Sequence, residues 1–425
     1  MIAVNIGKTF LKSFNEKYEK TYNAKEFFIE EYFPLFFDEE KYMQWVTNSP
    51  LVQGIKKGSP PSAVERRRKL DVLIDKISNT TADASIAIGF PSLDITATTS
   101  GQISSMKIPY KEEDVYLSWI GSGLGIGIQG GLSIFFDKPK LLLDIYDGWK
   151  VYRAYLNKTP KLRANQINTW NGQWLAHRYD KRVFDPEDPT AMFNGISVAK
   201  DGGLEVATQS WTMVLIGVAR TFPDSQLTGY VYNLGQTNTT VGFIPFRLPH
   251  IKRPVDLYEK YFGTSDVIQV EKLFATAFGF LKACQFGSIG VNAMQPKGLQ
   301  DFIEGKLPVF KEKDEEKKLN FQSYLIWTLA MLNNEQLWER AQQFAASLSV
   351  YALSSTKGKM DKTNQVKEVL SAISQKQFLD HLIPLVKDNA GESMHEIAQL
   401  IHMMPKDNVP YFLTLIRLHY AFITK

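Results

Sequence analysis

The sequence contains a single cysteine, Cys284, among its 425 residues. One cysteine excludes an intramolecular disulfide and a cysteine-rich zinc site, and it fits a reducing compartment. No uninterrupted apolar stretch approaches the roughly 18 residues that a membrane-spanning helix needs. Charges recur every few residues in MIAVNIGKTFLKSFNEKYEK, so this stretch has no apolar centre like that of a signal peptide. We therefore expect a soluble, cytoplasmic protein.

Motifs of catalysis are scarce as well. The sequence has neither a Walker A motif nor a G-x-S-x-G nucleophile motif. The glycine-rich stretch 121–131 contains the spacing of a dinucleotide-binding motif, but the β-like LSIFF follows it where that motif requires a helix. Its alternation instead predicts a strand with Gly121, Gly123, Gly125 and Gly127 on one face, against which another backbone packs closely. We expect no enzyme, no cofactor and no metal.

The patterns along the chain predict two parts of different class. Aromatic residues make up 12% and hydrophobic residues 44% of the chain, as in folded proteins, and its length favours more than one domain. We predict an α+β fold, in which a body with a mixed or antiparallel sheet and N-terminal helices precedes an all-α C-terminal helical bundle. The charged run KEKDEEKK at 311–318 suggests the boundary. The body then spans 1–310, with its helical N-terminal portion at about 1–80, and the bundle spans 319–425.

Hydrophobic periodicity places the individual elements. Helices are predicted at 62–77, 141–156 and 255–286 in the body, and at 319–332, 335–353, 363–373, 375–387, 393–404 and 409–423 in the bundle. Strands are predicted for SIAIGF, LDITATT, VYLSWI, LSIFF, WTMVLIGVAR, TGYVYNLG and VGFIPFRLP. The polar segment 157–190 has almost no aliphatic residues, so we expect it to be a surface or binding region.

A basic segment at 150–182 carries the main functional hypothesis. Its net charge of +7 (eight cations minus Asp180) exceeds the +4 of the whole chain. Cations bind phosphates, aromatic rings stack on bases and side-chain amides read base edges. The segment supplies all three with Lys150, Arg153, Lys158, Lys161, Arg163, Arg178, Lys181 and Arg182, with Trp170 and Trp174, and with Asn165, Gln166, Asn168, Asn171 and Gln173. The alternative is a solvated basic loop whose tryptophans are tucked into the core.

Two smaller basic clusters are candidates for the same interface. The first contains Lys56, Lys57, Arg66, Arg67, Arg68 and Lys69, and it can form a phosphate-contacting rim. The second contains Lys357, Lys359, Lys362 and Lys367, on the loop that enters a helix of the bundle. The alternative for both clusters is an exposed, solvated surface.

Three stretches resemble the large subunit of type I CRISPR surveillance complexes (Cascade). They are AKEFFIEEYFPLFFDEEKYMQW, IGSGLGIGIQGGLSIFFDKPKLLLDIYDGWKVYRAYL and the helical region 319–425. The resemblance implies a non-catalytic subunit that recognises the protospacer-adjacent motif in duplex DNA, helps to open the duplex and recruits a helicase-nuclease. It also implies partners, namely DNA and a guide-RNA complex with other CRISPR subunits. Some members carry paired CxxC zinc motifs, which this sequence lacks.

Two other functions remain open from the residues alone. A protein-only scaffold or adaptor would bind partner proteins through its helical bundle. A metal-dependent nuclease would use Asp185, Glu187 and Asp188 as magnesium ligands, although this acidic stretch with its prolines favours a turn.

Overall fold

The structure, a computed structural model, describes residues 1–56, 59–90, 111–233, 240–263, 279–287, 289–291, 293–296, 298–304, 306, 315–354, 362–388 and 392–424. It confirms the predicted α+β fold, with N-terminal helices, a small antiparallel sheet and a helical C-terminal region. The chain divides into two compact units, Met1–Leu248 and Pro249–Lys425.

The first unit begins with helices. They are α1 (Ile2–Tyr18), α2 (Ala24–Phe27), a π-helical turn (Phe28–Tyr32), α3 (Phe33–Phe36), α4 (Ala63–Asn79) and α5 (Glu112–Gly123). The Asn23 side chain and Glu26 form a capping box at the start of α2, since each accepts a hydrogen bond from the backbone N–H of the other. Phe10, Phe27 and Trp149 are fully buried, so the N-terminal helices share one aromatic core with the rest of this unit.

A four-stranded antiparallel sheet completes the first unit. Its order is β1 (Ile126–Ile128), β2 (Leu132–Phe136), β5 (Gln226–Asn233) and β6 (Thr240–Arg247). Between β2 and β5 lie α6 (Pro139–Lys158), α7 (Ile167–Arg178), a small hairpin of β3 (Ile196–Val198) and β4 (Leu204–Val206), and α8 (Trp211–Thr221). The inner face of β5 and β6 carries the buried Val231, Ile244 and Phe246, whereas their outer face is partly exposed.

Several predicted strands are wrong. WTMVLIGVAR forms α8, whose N-cap Ser210 accepts a hydrogen bond from the backbone N–H of Met213. VYLSWI lies within α5, and the region of SIAIGF contains turns and no strand. The two helices are buried on nearly all sides, so their apolar runs lack helical periodicity and look like buried strands. LSIFF, TGYVYNLG and VGFIPFRLP do contain strands, and LDITATT lies outside the described residues.

The glycine alternation was also misassigned, although it does mark close packing. Gly121 and Gly123 belong to the last turn of α5, and Gly127 alone of the four lies in a strand. A Cβ on Gly127 would lie 2.9 Å from the backbone carbonyl carbon of Asn168, so β1 and α7 are in backbone contact there. Only glycine permits this approach.

The second unit is helical in its described part. It contains α9 (Leu248–Phe262, which begins at the boundary), α10 (Phe280–Gln285), α11 (Leu299–Ile303), α12 (Glu315–Leu332), α13 (Gln336–Leu353), α14 (Lys362–Ser371), α15 (Gln375–Lys387), α16 (Glu392–Met403) and α17 (Val409–Ile423). The six helices predicted for the bundle correspond to α12–α17. The middle of the helix predicted at 255–286 lies outside the described residues.

The division between the units precedes the charged run that suggested a boundary. Phe302 packs against Tyr324 with ring centroids 4.0 Å apart, and the Tyr258 hydroxyl donates to the Gln322 side chain. These contacts attach residues before 310 to α12, so part of the predicted body belongs to the second unit.

Candidate nucleic-acid interface

The two tryptophans of the basic segment lie in the core of the first unit. Trp170 and Trp174 are 0% and 1% exposed, and their indole N–H groups donate to the carbonyls of Gly148 and Asp144, both at 2.8 Å. Gly148 leaves room for the Trp174 ring, since a Cβ there would lie 2.4 Å from it. The predicted stacking role of both rings is wrong in this arrangement, because no ring face is open to a base. The prediction that 157–190 is a surface region is wrong for α7 as well.

Two of the five amides fix α7 to the glycine-rich turn. The buried Asn171 Nδ2 donates to the carbonyls of Gly123 and Gly125 at 2.7 and 2.8 Å, and Asn168 Nδ2 donates to Gly125 at 3.0 Å. These hydrogen bonds satisfy the carbonyls of Gly123, at the end of α5, and of Gly125, just after it. Both side chains are therefore turned to the protein backbone and away from the surface where bases would be read.

Two further amides hold the segment that contains β4. Gln166 Oε1 accepts a hydrogen bond from the Val206 N–H at 3.0 Å, and Gln173 Nε2 donates to the Ala207 carbonyl at 2.8 Å. Asn165 is different, because it is exposed and takes a left-handed conformation (φ 62°). Of the five predicted base-reading amides, Asn165 alone has an exposed side chain.

Most arginines of the basic segment are paired. Arg178 contacts Asp144 at 2.8 Å and Asp147 at 3.3 Å, Arg163 contacts Asp201 and Glu205, and Arg182 contacts Asp180. Each carboxylate offsets the charge that a phosphate would otherwise meet, so the net charge of the linear segment overstates the charge at the surface.

Arg153 is buried and holds both the end of α3 and the chain that follows it. Its Nε donates to the Leu35 carbonyl at 2.7 Å and its Nη1 to the Lys41 carbonyl at 2.9 Å. Burial lowers the pKa of Arg153 to about 10, so the guanidinium stays protonated at neutral pH. The predicted phosphate contact of Arg153 is wrong, since its donors serve backbone carbonyls inside the protein.

The end of α6 and the loop after it, residues 158–163, form an exposed cationic feature; we refer to this segment as the cationic loop. Lys41 Nζ donates to the carbonyls of Thr159, Pro160 and Leu162 at 2.7, 2.8 and 3.0 Å. Burial, together with the charge of Arg153, lowers the pKa of Lys41. Lys158 and Lys161 are exposed, and within the described chain no carboxylate lies within 4.0 Å of either ammonium.

The first smaller cluster meets the same part of the fold. Asp38 contacts Arg66 Nε at 3.8 Å and also contacts Arg67. Asp38 lies three residues before Lys41, which binds the cationic loop. The arginines at the start of α4 and the cationic loop therefore contact the same short segment, residues 38–41. Arg68 is paired with Glu65 at 2.7 Å, Lys56 is exposed, and Lys57 lies outside the described residues.

Other predicted cations lie apart from this group. Trp170 donates to Gly148 of α6, and Trp174, one turn later in α7, donates to Asp144, one turn earlier in α6, so the two helices run antiparallel. Lys181 and Arg182, which follow α7, therefore lie near the start of α6, whereas the cationic loop lies at its end. Fourteen residues of helix separate Asp144 from Lys158, which corresponds to about 21 Å. Lys150 is exposed on α6, with its ammonium 4.7 Å from the ring centroid of Tyr146. Lys357 and Lys359 lie outside the described residues.

The acidic stretch forms local turns. Asp185 accepts a hydrogen bond from the Glu187 N–H, and Asp188 accepts two from Thr190. Among the described residues, no group of three or more histidine, cysteine, aspartate or glutamate side chains is arranged to hold a metal ion.

Sequence reasoning missed a row of aromatic rings on the outer face of the sheet. Phe135 of β2, Tyr232 and Tyr230 of β5 and Phe243 of β6 follow one another with ring centroids 4.9, 6.0 and 5.2 Å apart; we call these four residues the aromatic row. The alternation of tyrosines in TGYVYN was the available signal, because residues two apart share a strand face.

The second unit contains a cavity of about 390 Å³. Its lining is mainly aromatic and aliphatic and comprises Phe262, Lys318, Phe321, Gln322, Leu325, Trp338, Gln342, Leu418, His419 and Phe422. His419 is 7% exposed, and its Nε2 has no hydrogen-bond partner among the residues that the structure describes. Burial lowers its pKa to about 4, so the ring is neutral at physiological pH.

Comparisons with known proteins give no match: none was found to a family model, to a curated protein or to a solved structure. None of the helices in the described part of the chain is both long enough and apolar enough to cross a membrane.

Proposed function

We propose that this chain is a non-catalytic DNA-recognition subunit of a cytoplasmic CRISPR ribonucleoprotein complex. In this role it binds target duplex next to the protospacer and helps to recruit the helicase-nuclease. The observation that carries the DNA-binding part is the cationic loop, in which Lys158 and Lys161 are exposed without a carboxylate partner in the described chain.

The cationic loop suits a phosphate backbone for two reasons. Its lysines have no carboxylate within 4.0 Å among the described residues, whereas Arg163 in the same loop would have to leave Asp201 and Glu205. Its backbone is already fixed by the ammonium of Lys41, so little conformational entropy is lost on binding. Counterion release from the phosphates would then supply sequence-independent affinity.

The order of elements supports the assembly part of the proposal. Aromatic N-terminal helices, a body with a small sheet and a helical C-terminal region follow one another as in the large subunits that the sequence resembles. The proposal gives the chain a guide-RNA complex with other CRISPR subunits as its partner.

Removing the two free lysines tests DNA binding. We expect Lys158→Ala/Lys161→Ala to weaken binding to duplex DNA and to reduce the slope of log K against log salt by about 1.8, because two phosphate contacts are lost. Fluorescence anisotropy with a labelled duplex at several salt concentrations measures both quantities. The matched control is Lys8→Ala/Lys20→Ala, which removes two exposed lysines from the region of α1. Equal salt slopes for all three proteins would contradict the role of the cationic loop.

Affinity purification from the native host tests the assembly. A small RNA with repeat-derived flanks and several companion proteins is the expected result. The competing function is a protein-only adaptor, which the apolar cavity of the second unit favours, since such cavities accept side chains of a partner. Recovery of partner proteins without RNA would support the adaptor and contradict the CRISPR assignment.

A further inference from the structure

We infer that the outer face of the sheet binds single-stranded DNA, with unpaired bases stacking on Tyr230 and Phe243 and Arg247 contacting the backbone. This inference deepens the proposed function and rests on it, since opening a duplex releases a single strand. The chain then has two DNA-binding surfaces: the cationic loop for duplex DNA and the sheet for single-stranded DNA.

The sheet register sets the aromatic row side by side. Tyr230 pairs directly with Phe243 on β6 and with Phe135 on β2, so three neighbouring strands each place a ring on the same face. α7 covers this face at Gly127 of β1, and the face is open at β6. The Tyr230 and Tyr232 rings are nearly parallel, at 24°. Phe243 is tilted by 59° to Tyr230, so its ring face is turned away from the stack formed by the other three rings. A base is the ligand that stacks on such an open ring face.

The exposure of the row increases toward β6. Phe135 is buried, Tyr230 and Tyr232 are half-buried, and Phe243 is 64% exposed. Phe243 is not required for the core, because its neighbour Ile244 on the same strand faces inward and is buried. An exposed phenylalanine beside two partly open tyrosines gives the sheet an apolar outer surface that folding does not explain.

The charge of the sheet favours a polyanion. The four strands contain no aspartate or glutamate, and their one charged residue is Arg247. Arg247 is exposed, lies on the same strand face as Phe243, and has neither an ion-pair partner nor a hydrogen-bond partner within the described chain. Four residues of strand separate the two, about 14 Å. The guanidinium can therefore contact a phosphate next to a base stacked on Phe243.

The form of the ligand follows from the same geometry. In a duplex the base faces are covered by neighbouring pairs, so an aromatic row has nothing to stack on. A single strand exposes both faces of each base. Recognition of this kind is tolerant of sequence, because every base has a π-face.

The experiment tests whether binding needs an aromatic ring or only an apolar side chain at these positions. Binding of a labelled oligo-dT is measured by anisotropy for Phe243→Leu, Phe243→Trp and Tyr230→Leu. Loss of one stacked base is expected to weaken binding by about 5- to 150-fold for the leucine variants, while Phe243→Trp retains it. Phe286→Leu is the control, since Phe286 is 71% exposed in the second unit. Circular dichroism and thermal melting establish that each variant is folded.

The outcomes separate this inference from the proposed function. If the leucine variants bind oligo-dT like the unaltered chain while Lys158→Ala/Lys161→Ala still weakens duplex binding, the sheet assignment is overturned and the proposed function stands. If the unaltered chain binds neither form of DNA, both are overturned. Tighter binding of oligo-U through the same rings would overturn the assignment to DNA. Capture of a protein through Phe243, without oligonucleotide binding, would overturn it in favour of a protein contact.

Discussion

Gly7 and Gly121 face each other where α1 packs against α5. A Cβ on Gly121 would lie 2.9 Å from the Gly7 nitrogen, and a Cβ on Gly7 would lie 3.2 Å from the Gly121 nitrogen. Carbonyl oxygens are still closer. The Cβ on Gly121 would lie 1.8 Å from the Ala3 oxygen, and the Cβ on Gly7 would lie 2.2 Å from the Leu117 oxygen. The two helix backbones are thus in contact, and neither position has room for a methyl group.

This contact predicts that Gly121→Ala destabilises the protein. Real Cβ atoms do not approach backbone atoms this closely, so α1 and α5 would have to separate. We expect the free energy of unfolding to fall by at least about 1–3 kcal/mol, the usual range for an overpacked core. Urea denaturation measures it. Gly290→Ala is the control, because the nearest atom to its Cβ would be 3.8 Å away. A Gly121→Ala protein as stable as the control would refute the close contact.

Gly121 also shows what the sequence can and cannot predict. Four glycines at every second position correctly indicate that backbones approach closely. The same spacing cannot show that Gly121 and Gly123 end a helix, because α5 is buried nearly all round and its apolar residues have no helical period. The bundle helices were predicted well for the opposite reason. In α15, for example, buried Phe378, Leu382 and Leu385 recur at helical spacing among exposed residues.

The basic segment illustrates a second limit. Its composition gives the number of charges but not their partners, and the carboxylates that pair with Arg178 and Arg163 lie 31 to 42 residues away in sequence. Nor does composition show which way a tryptophan faces on a helix such as α7, which is buried on almost every side. Lys158 and Lys161 were predicted and are exposed, whereas Trp170, Trp174 and Arg153 were predicted as binding residues and are buried.

The burial of Trp174 predicts a structural role that can be separated from DNA binding. Trp174→Phe removes the indole N–H and leaves the Asp144 carbonyl without that donor. We expect a loss of about 1–3 kcal/mol in the free energy of unfolding, from one lost hydrogen bond and the space that the smaller ring leaves in the core, and DNA affinity within twofold of the unaltered chain. Trp45→Phe serves as control, since Trp45 is 43% exposed and should change stability by less than about 0.5 kcal/mol. A large loss of DNA affinity in folded Trp174→Phe would restore the stacking role.

Lys41 is expected to control the order of the cationic loop. Lys41→Met removes the donor from the carbonyls of Thr159, Pro160 and Leu162, which then need water or must move. Trypsin should consequently cut after Lys158 or Lys161 faster than in the unaltered chain, because a loosened loop opens more often. Limited proteolysis with mass spectrometry gives the rate at each bond, and Lys8→Met, at an exposed position of α1, is the control. Unchanged cleavage at both bonds would mean that the loop does not depend on Lys41.

His419 predicts that acid destabilises the second unit. Its Nε2 is buried without a hydrogen-bond partner in the described part of the chain, and its ring lies edge to face with Trp338 at 4.7 Å, so the structure favours the neutral ring. Burial lowers its pKa from the ordinary 6.5 to about 4. Between these values the unfolded chain binds the proton and the folded chain does not. The stability due to neutral His419 is therefore complete above pH 6.5 and is lost as the pH falls toward 4.

The size of this effect is about 3 kcal/mol, because folding lowers the pKa of His419 from 6.5 to about 4. Other groups titrate in the same range, so the measurement is a difference between proteins. Urea denaturation at pH 7, 6, 5 and 4 is compared for the unaltered chain and His419→Phe, and the variant should lose about 3 kcal/mol less between pH 7 and 4. His402→Gln, which removes an exposed histidine, should follow the unaltered chain. Parallel pH profiles for all three proteins would show that the His419 ring reaches solvent or a hydrogen-bond partner in solution. The cavity that it lines would then be more polar than its neighbours indicate.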